Sequence, residues 1–130
     1  MIKSWDIDDA PVLVAIGLAF DDYERALLAG DHETLDGYFW DDARVVRYGV
    51  AENLYGAETI AEFRRQWIPP AATRELRNRV ITAFGPDLAT AVTEFRWPGE
   101  SRWDRQSQVW VHMAGGWRIV SAHVSMMVGP

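Results

Sequence analysis

Arg47 stands in a largely apolar run, Val45-Val46-Arg47-Tyr48, between a helical region and a further helix. Removing an unpaired guanidinium from water costs on the order of several kcal/mol, so a chain that places one in a strand supplies an anion to meet it. A planar fork with parallel donors suits a carboxylate. Glu52, Glu94 and Glu24 are candidate protein partners, in which case the arginine ties helix to sheet. The other candidate is the carboxylate of a ligand.

Three further side chains belong with it. Tyr23 lies on a stripe with Ile16, Phe20 and Leu27, spaced i, i+4, i+7 and i+11. Such a tyrosine serves either as core or as a hydroxyl that donates or relays a proton into a cavity. Gln106 and Gln108 alternate with Arg105, Ser107 and Val109, so one strand face carries both amides together with Trp110. Amides offer donors and acceptors together, as an uncharged ureido group needs, although glutamines on strands commonly face solvent or an interface. Gln108 lies nearer the middle of its strand. Arg105 and His123 are expected to be structural, as an interface salt bridge and a hydrogen-bonded core imidazole.

Metal and cofactor chemistry finds no purchase in the pattern. His32, His112 and His123 fall on separate elements, with no metal-ligand spacing, and there is no cysteine for a thiolate site, a disulfide or a nucleophile. The nucleophile-elbow, phosphate-loop and dinucleotide glycine motifs are missing, and Gly115-Gly116 is a turn signal. No metal and no cofactor are predicted.

The elements that must position these groups are legible from periodicity. A helix is predicted over residues 11–28, stopped by Gly30. Asp31 then caps a second short helix carrying Leu35 and Phe39. A strand over 43–48 follows, then a loop containing Glu52, Asn53 and Tyr55. A third helix with Ile60, Phe63 and Trp67 on one face ends at Pro69-Pro70. Four β-rich runs, about 74–84, 88–97, 102–113 and 117–127, are separated by Gly-Pro-Asp, Pro-Gly-Glu and Ala-Gly-Gly turns, so they should pair antiparallel. Helices first and a long twisted meander afterwards make an α+β domain spanning 1–130.

Composition narrows the partners. The 130 residues suit one domain, and 48% apolar residues fill its core. Seven Trp, five Phe and four Tyr suit a walled cavity or a buried subunit interface. Nineteen acidic against thirteen basic residues give a formal charge of −6, which argues against nucleic-acid or anionic-membrane surfaces, so an anionic ligand must be attracted locally. The N-terminus carries acidic residues where a signal peptide would be apolar, and no run reaches a membrane span, so a cytoplasmic location is expected.

The order helix, helix, strand, helix, four long strands resembles the NTF2-like, or SnoaL-like, cone, with N-terminal helices packed in the concave face of a strongly curved, mixed, mostly antiparallel sheet. FWDD-x-R-x-x-R-x-G, ENLYG and RQSQ, with the looser GGWRIVSAHVS, are similar to the AtzH-like group, which includes the oxalurate-catabolism proteins called HpxZ. The resemblance runs from about Phe20 to Met127. It implies a small pocket between helices and sheet, and a cofactor-independent activity on a urea-derived carboxylate, foremost the decarboxylating hydrolysis of 1,3-dicarboxyurea to allophanate. It pairs a helix-1 Tyr with a strand Arg, here Tyr23 and Arg47 as catalytic residues. Gln106, Gln108 and Asn53 are the expected substrate contacts. An oxalurate-pathway role, or a non-catalytic carboxylate-binding subunit beside an amidase, is the alternative. A homodimer is expected.

Overall fold

The computed structural model describes residues 1–67 and 73–129. Helix α1 (Ala10–Ala29) starts behind Asp9 with Pro11 in its first turn, where a missing N–H costs nothing. It ends at Gly30, whose φ of 67° and ψ of 27° are left-handed and whose N–H closes onto the Ala26 and Leu27 carbonyls. Ile16, Phe20, Tyr23 and Ala26 are its buried stripe. Helix α2 (His32–Tyr38) is capped by Asp31, which accepts from the Thr34 N–H at 3.2 Å and the Thr34 hydroxyl at 2.7 Å. The Tyr38 hydroxyl donates to Asp22 Oδ2 at 2.6 Å and pins the two helices together.

The first strand is shorter than expected, and a second one appears where a loop was expected. Strand β1 (Val46–Tyr48) pairs antiparallel with β2 (Asn53–Tyr55), Val46 opposite Tyr55. The hairpin closes through the Gly49 N–H on the Glu52 carbonyl at 2.9 Å. Helix α3 (Ala57–Arg65) buries Ile60 and is capped at Gln66. The expected stop at Pro69-Pro70 lies outside the described residues.

Strands β3 (Glu75–Ala83), β4 (Leu88–Arg96), β5 (Asp104–Met113) and β6 (Gly116–Ser125) form the meander. The sheet order is β2-β1-β6-β5-β4-β3, antiparallel throughout except for the parallel β1–β6 pair. Ala89, Ala91, Thr93 and Phe95 of β4 and Asp104, Gln106, Gln108 and Trp110 of β5 point inward, the period of two expected of a half-buried strand. In β6, Val109 is paired with Ser121 but Trp110 with Ile119, so Val120 is left over. This bulge switches the inward parity from Trp117 and Ile119 to Ala122. A second irregularity in β3, between Arg77 and Val80, places Asn78 at φ 52°. Bulges add local twist and bend, which is what wraps a meander into a cone.

Ile16, Phe20, Leu35, Val45, Ile60, Trp110 and Ile119 are essentially solvent-free and form the core between helices and sheet. His123 departs from expectation: it is exposed and edge-on to Tyr48, with ring centroids 5.6 Å apart, rather than a core imidazole. Arg105 is exposed and donates to the Ser125 hydroxyl at 3.2 Å. No helix among the described residues is long and apolar enough to cross a membrane.

Burial and the bond to Asp22 push the Tyr38 phenol up to about 12. The fold therefore favours the neutral phenol, and Tyr38 contributes stability that is complete below its unfolded pKa of ~10 and lost as pH rises toward the folded value. Thermal melts between pH 9 and 12 should show this alkaline loss in the wild type and less of it in Tyr38→Phe. Identical pH slopes would contradict the assignment.

Candidate functional site

Between the helices and the concave sheet lies a cavity of about 140 Å³. It is smaller than the roughly 300–1,000 Å³ usual for drug-sized ligands, so it suits one small molecule. Leu27, Ile60, Phe63, Trp67, Phe95 and Trp97 supply most of its apolar wall. Trp110 and Trp117 are buried, and Trp103 is stacked by Arg77 and Arg96 at 4.0 and 4.5 Å, so the late tryptophans build core, cavity and sheet edge. The polar lining consists of Tyr23, Arg47, Arg64, Arg74, Gln106 and Gln108. No Asp, Glu or His is in the lining among the described residues.

Sheet register explains the floor. Arg47 is paired with Ala122 across β1 and β6, and Ala122 with Gln108 across β6 and β5. Two strand spacings of ~4.8 Å therefore separate the Arg47 and Gln108 backbones, with only a methyl group between them. A long side chain at position 122 would fill the space in which a ligand could lie.

Each guanidinium in the lining has a carboxylate, and the three pairings differ. Arg74 is the most buried. Its Nε and Nη2 donate to both oxygens of Glu24 at 2.7 and 2.8 Å, and Nη2 also reaches Gln106 Oε1 at 3.1 Å. Its guanidinium lies 4.4 Å from the Phe95 ring centroid and 5.5 Å from that of Trp97. Arg64 meets Asp36 and stacks on Phe39 at 5.0 Å. Arg47 makes one bond, Nη1 to Glu52 Oε1 at 3.1 Å, and lies 5.6 Å from the Phe63 ring centroid. Its side chain keeps 21% of its exposure against 3% for Arg74. The protein carboxylate expected for Arg47 is therefore Glu52, and it engages one of five donors. Glu24 goes to Arg74 and Glu94 to Arg77.

Both glutamines are locked in the same sense. Gln108 Oε1 accepts from the Trp110 indole N–H at 3.0 Å, and Gln106 Oε1 accepts from Arg74. With each carbonyl already accepting a hydrogen bond, the amide orientation is set and the N–H groups are left as donors. Gln106 Nε2 is buried and has no hydrogen-bond partner among the described residues, a condition that costs about 1–3 kcal/mol when nothing meets it. Tyr23 is 5% exposed, lines the cavity and is held edge-on by Tyr38, Phe39 and Trp110, with ring centroids 6.2–6.3 Å away.

Tyr23, Arg47, Gln106 and Gln108 are thus brought together. Asn53 is not. It sits exposed on β2 opposite Tyr48, outside the cavity lining, because its strand turns this position away from α3. Sequence reasoning missed Arg64 and Arg74. Arg64 sits one residue beyond Phe63 and four beyond Ile60, and that i+4 spacing from a buried position was the available signal. Arg74 carried none, since it directly precedes a strand and its partner lies fifty residues earlier.

Gly49 has a specific part here. A Cβ at that position would fall 1.7 Å from Glu52 Oε1, so the bare backbone gives the carboxylate its place beside Arg47. The obstacle is the end of a flexible side chain, so Gly49→Ala should change stability by no more than about 1 kcal/mol. It should displace Glu52 and alter acetate affinity, measured by calorimetric titration. Unchanged acetate affinity with an unchanged melting temperature would mean that Glu52 does not govern the guanidinium.

The AtzH-like family model matches residues 5–129. A solved protein of unknown function from Pectobacterium atrosepticum is 48% identical, covers 98% of this chain and 100% of its own, and superposes with a TM-score of 0.93. A cystatin-like fold protein from Burkholderia xenovorans is 38% identical over 95% of this chain and 98% of its own, with a TM-score of 0.90. An NTF2-like superfamily protein from Salmonella enterica, 21% identical and covering 92% and 94%, superposes at 0.72 and shares the fold. No curated protein matches. On the extent of the model match and the two close structural relatives, the chain belongs to the AtzH-like family.

Proposed function

We propose that the cavity binds a small urea-derived carboxylate and that the protein is a cofactor-independent enzyme, acting most directly on 1,3-dicarboxyurea to give allophanate. The observation that carries this reading is the donor-rich character of the lining. Arginine and locked amide N–H groups converge, and no carboxylate or imidazole does so among the described residues. Such a lining favours acceptor-rich anions and disfavours cations.

The same lining bears on the route. Hydrolytic attack calls for a base to activate water, and no carboxylate or imidazole lines the space among the described residues. Loss of carbon dioxide calls for a proton on nitrogen as the C–N bond breaks. In the proposed step, Tyr23 donates its proton to the nitrogen, the C–N bonding pair goes to that nitrogen, and the carboxylate leaves as neutral carbon dioxide. Solvent then returns a proton to the phenolate, and the carbon dioxide hydrates in solution. A cation on the departing carboxylate would stabilise the ground state more than the transition state, so Arg47 is placed on the carboxylate that is retained. Gln108 holds the ureido oxygen.

A carboxylate-binding subunit without turnover is the second reading, favoured by the Glu52 contact that already occupies part of Arg47. The protein is further proposed to work as a cytoplasmic homodimer, with Val80 and Val92 exposed on the outer sheet face. Light scattering after size exclusion should give twice the chain mass.

The test is carbon dioxide release from freshly generated 1,3-dicarboxyurea, corrected for spontaneous loss. Tyr23→Phe should lower kcat by about 10²–10⁴ with KM little changed. Arg47→Lys should raise KM roughly tenfold or more, because a point charge cannot reproduce the fork. Full activity in Tyr23→Phe would remove its proton-transfer role. Wild-type protein that binds acetate but accelerates nothing would establish the second reading.

A further inference from the structure

The Glu24–Arg74–Gln106 chain does work that neither Tyr23 nor Arg47 explains. Arg74 is nearly solvent-free, held at two points by Glu24 and flanked by the Phe95 and Trp97 rings. A buried ion pair of this kind is often no more stable than well-packed apolar side chains, so stability alone is a weak reason for it. One of its donors is spent on fixing the amide of Gln106, which lines the cavity with 5% of its surface exposed. The amide cannot flip without setting its NH₂ group against the guanidinium. Its Nε2 must therefore remain a donor, and that atom is buried with no partner among the described residues.

The two ends of the cavity differ accordingly. At one, Arg47 on β1 carries a charge only partly met by Glu52. At the other, Gln106 on β5 offers a neutral donor backed by an ion pair that is internally balanced. Gln106 is two strands from Arg47 and two residues along from Gln108, a diagonal of ~12 Å between backbones before both side chains extend inward. A molecule with a five-atom chain between terminal oxygens matches that arrangement better than a single carboxylate does.

We infer that Gln106, held in one orientation by Arg74 and Glu24, is a specificity-determining second recognition point that makes the cavity select small dicarboxylates over monocarboxylates. The inference rests on the placing of one carboxylate at Arg47 and deepens it. Arg74 and Glu24 are positioning residues, acting through the amide. The neutral donor is suited to the end at which a carboxylate must lose its charge, since it grips without opposing that loss.

Unreactive probes separate this from turnover. Glutarate has the five-atom skeleton with two carboxylates, and butyrate has one. Calorimetric titration of the wild type should give saturable binding with glutarate preferred about tenfold or more. Gln106→Met, which keeps bulk and removes the donor, should bring the preference close to one while leaving butyrate affinity within about twofold. Gln106→Glu should bind glutarate more weakly still at neutral pH, since it would present an acceptor to an acceptor. Arg74→Lys should also reduce the preference, because an ammonium cannot hold Glu24 at two points and fix the amide as well.

A merely structural role would lower both affinities together in Gln106→Met, and that result would overturn the inference. It would also fail if the wild type showed no glutarate preference, or if Gln106→Met retained one. Should Arg74→Lys not fold, as judged by circular dichroism, Gln106→Met decides. A wild type that shows the preference yet releases no carbon dioxide from 1,3-dicarboxyurea would sink the proposed reaction and leave this inference standing.

Discussion

Glu24 and Arg74 hold each other at two points out of solvent, and the helix that supplies Glu24 carries Tyr23 one residue before it. Docking α1 to the sheet through this pair fixes where the tyrosine enters the cavity and which way the Gln106 amide faces. Removing one partner of such a pair is far more damaging than replacing both, because the survivor is left charged and unmatched. The constraint extends to Arg64 with Asp36, which joins α3 to α2, and to Arg47 with Glu52, within the β1–β2 hairpin. Three cations are thus gathered in an acidic chain, with their counter-ions outside the cavity lining.

That arrangement reconciles the net charge of −6 with a pocket suited to anions. Long-range attraction is absent, so affinity must come from oriented donors at short range, where exclusion of water makes each of them count. Graded satisfaction of the arginines divides their roles. Arg74 is held by three hydrogen bonds, two to Glu24 and one to Gln106, and Arg47, bonded once to Glu52 among the described residues, keeps donors in hand. The aromatic surplus completes the division by walling the cavity and stacking against guanidinium faces.

Much of this was legible in the sequence. The 3.6 periodicity of Ile16, Phe20 and Tyr23 placed the tyrosine on the buried face of α1, and the period of two in β5 placed both glutamines on one sheet face. The glycine-bearing turns between the late runs gave the antiparallel meander. What the sequence did not carry was pairing across distance. The apolar run around Arg47 marks it as the buried cation, whereas Arg74 is the more enclosed, because its burial depends on Glu24 arriving from fifty residues away. The three-residue strand at Asn53–Tyr55 lacked length enough for a periodic signal, and its register turned Asn53 outward. The bulge at Val120 was equally silent, since a parity switch within an apolar strand leaves no mark on composition. Motif resemblance supplied the link between Tyr23 and Arg47 that spacing could not; the structure places both side chains in the lining of one cavity.

The most direct measurement is a crystal structure of the wild-type protein with glutarate bound. One carboxylate should lie within about 3 Å of the Arg47 guanidinium. The other should accept from Gln106 Nε2, with the chain crossing Ala122. Glutarate found outside the cavity, or inside it with Arg47 bonded to Glu52 alone, would contradict the account.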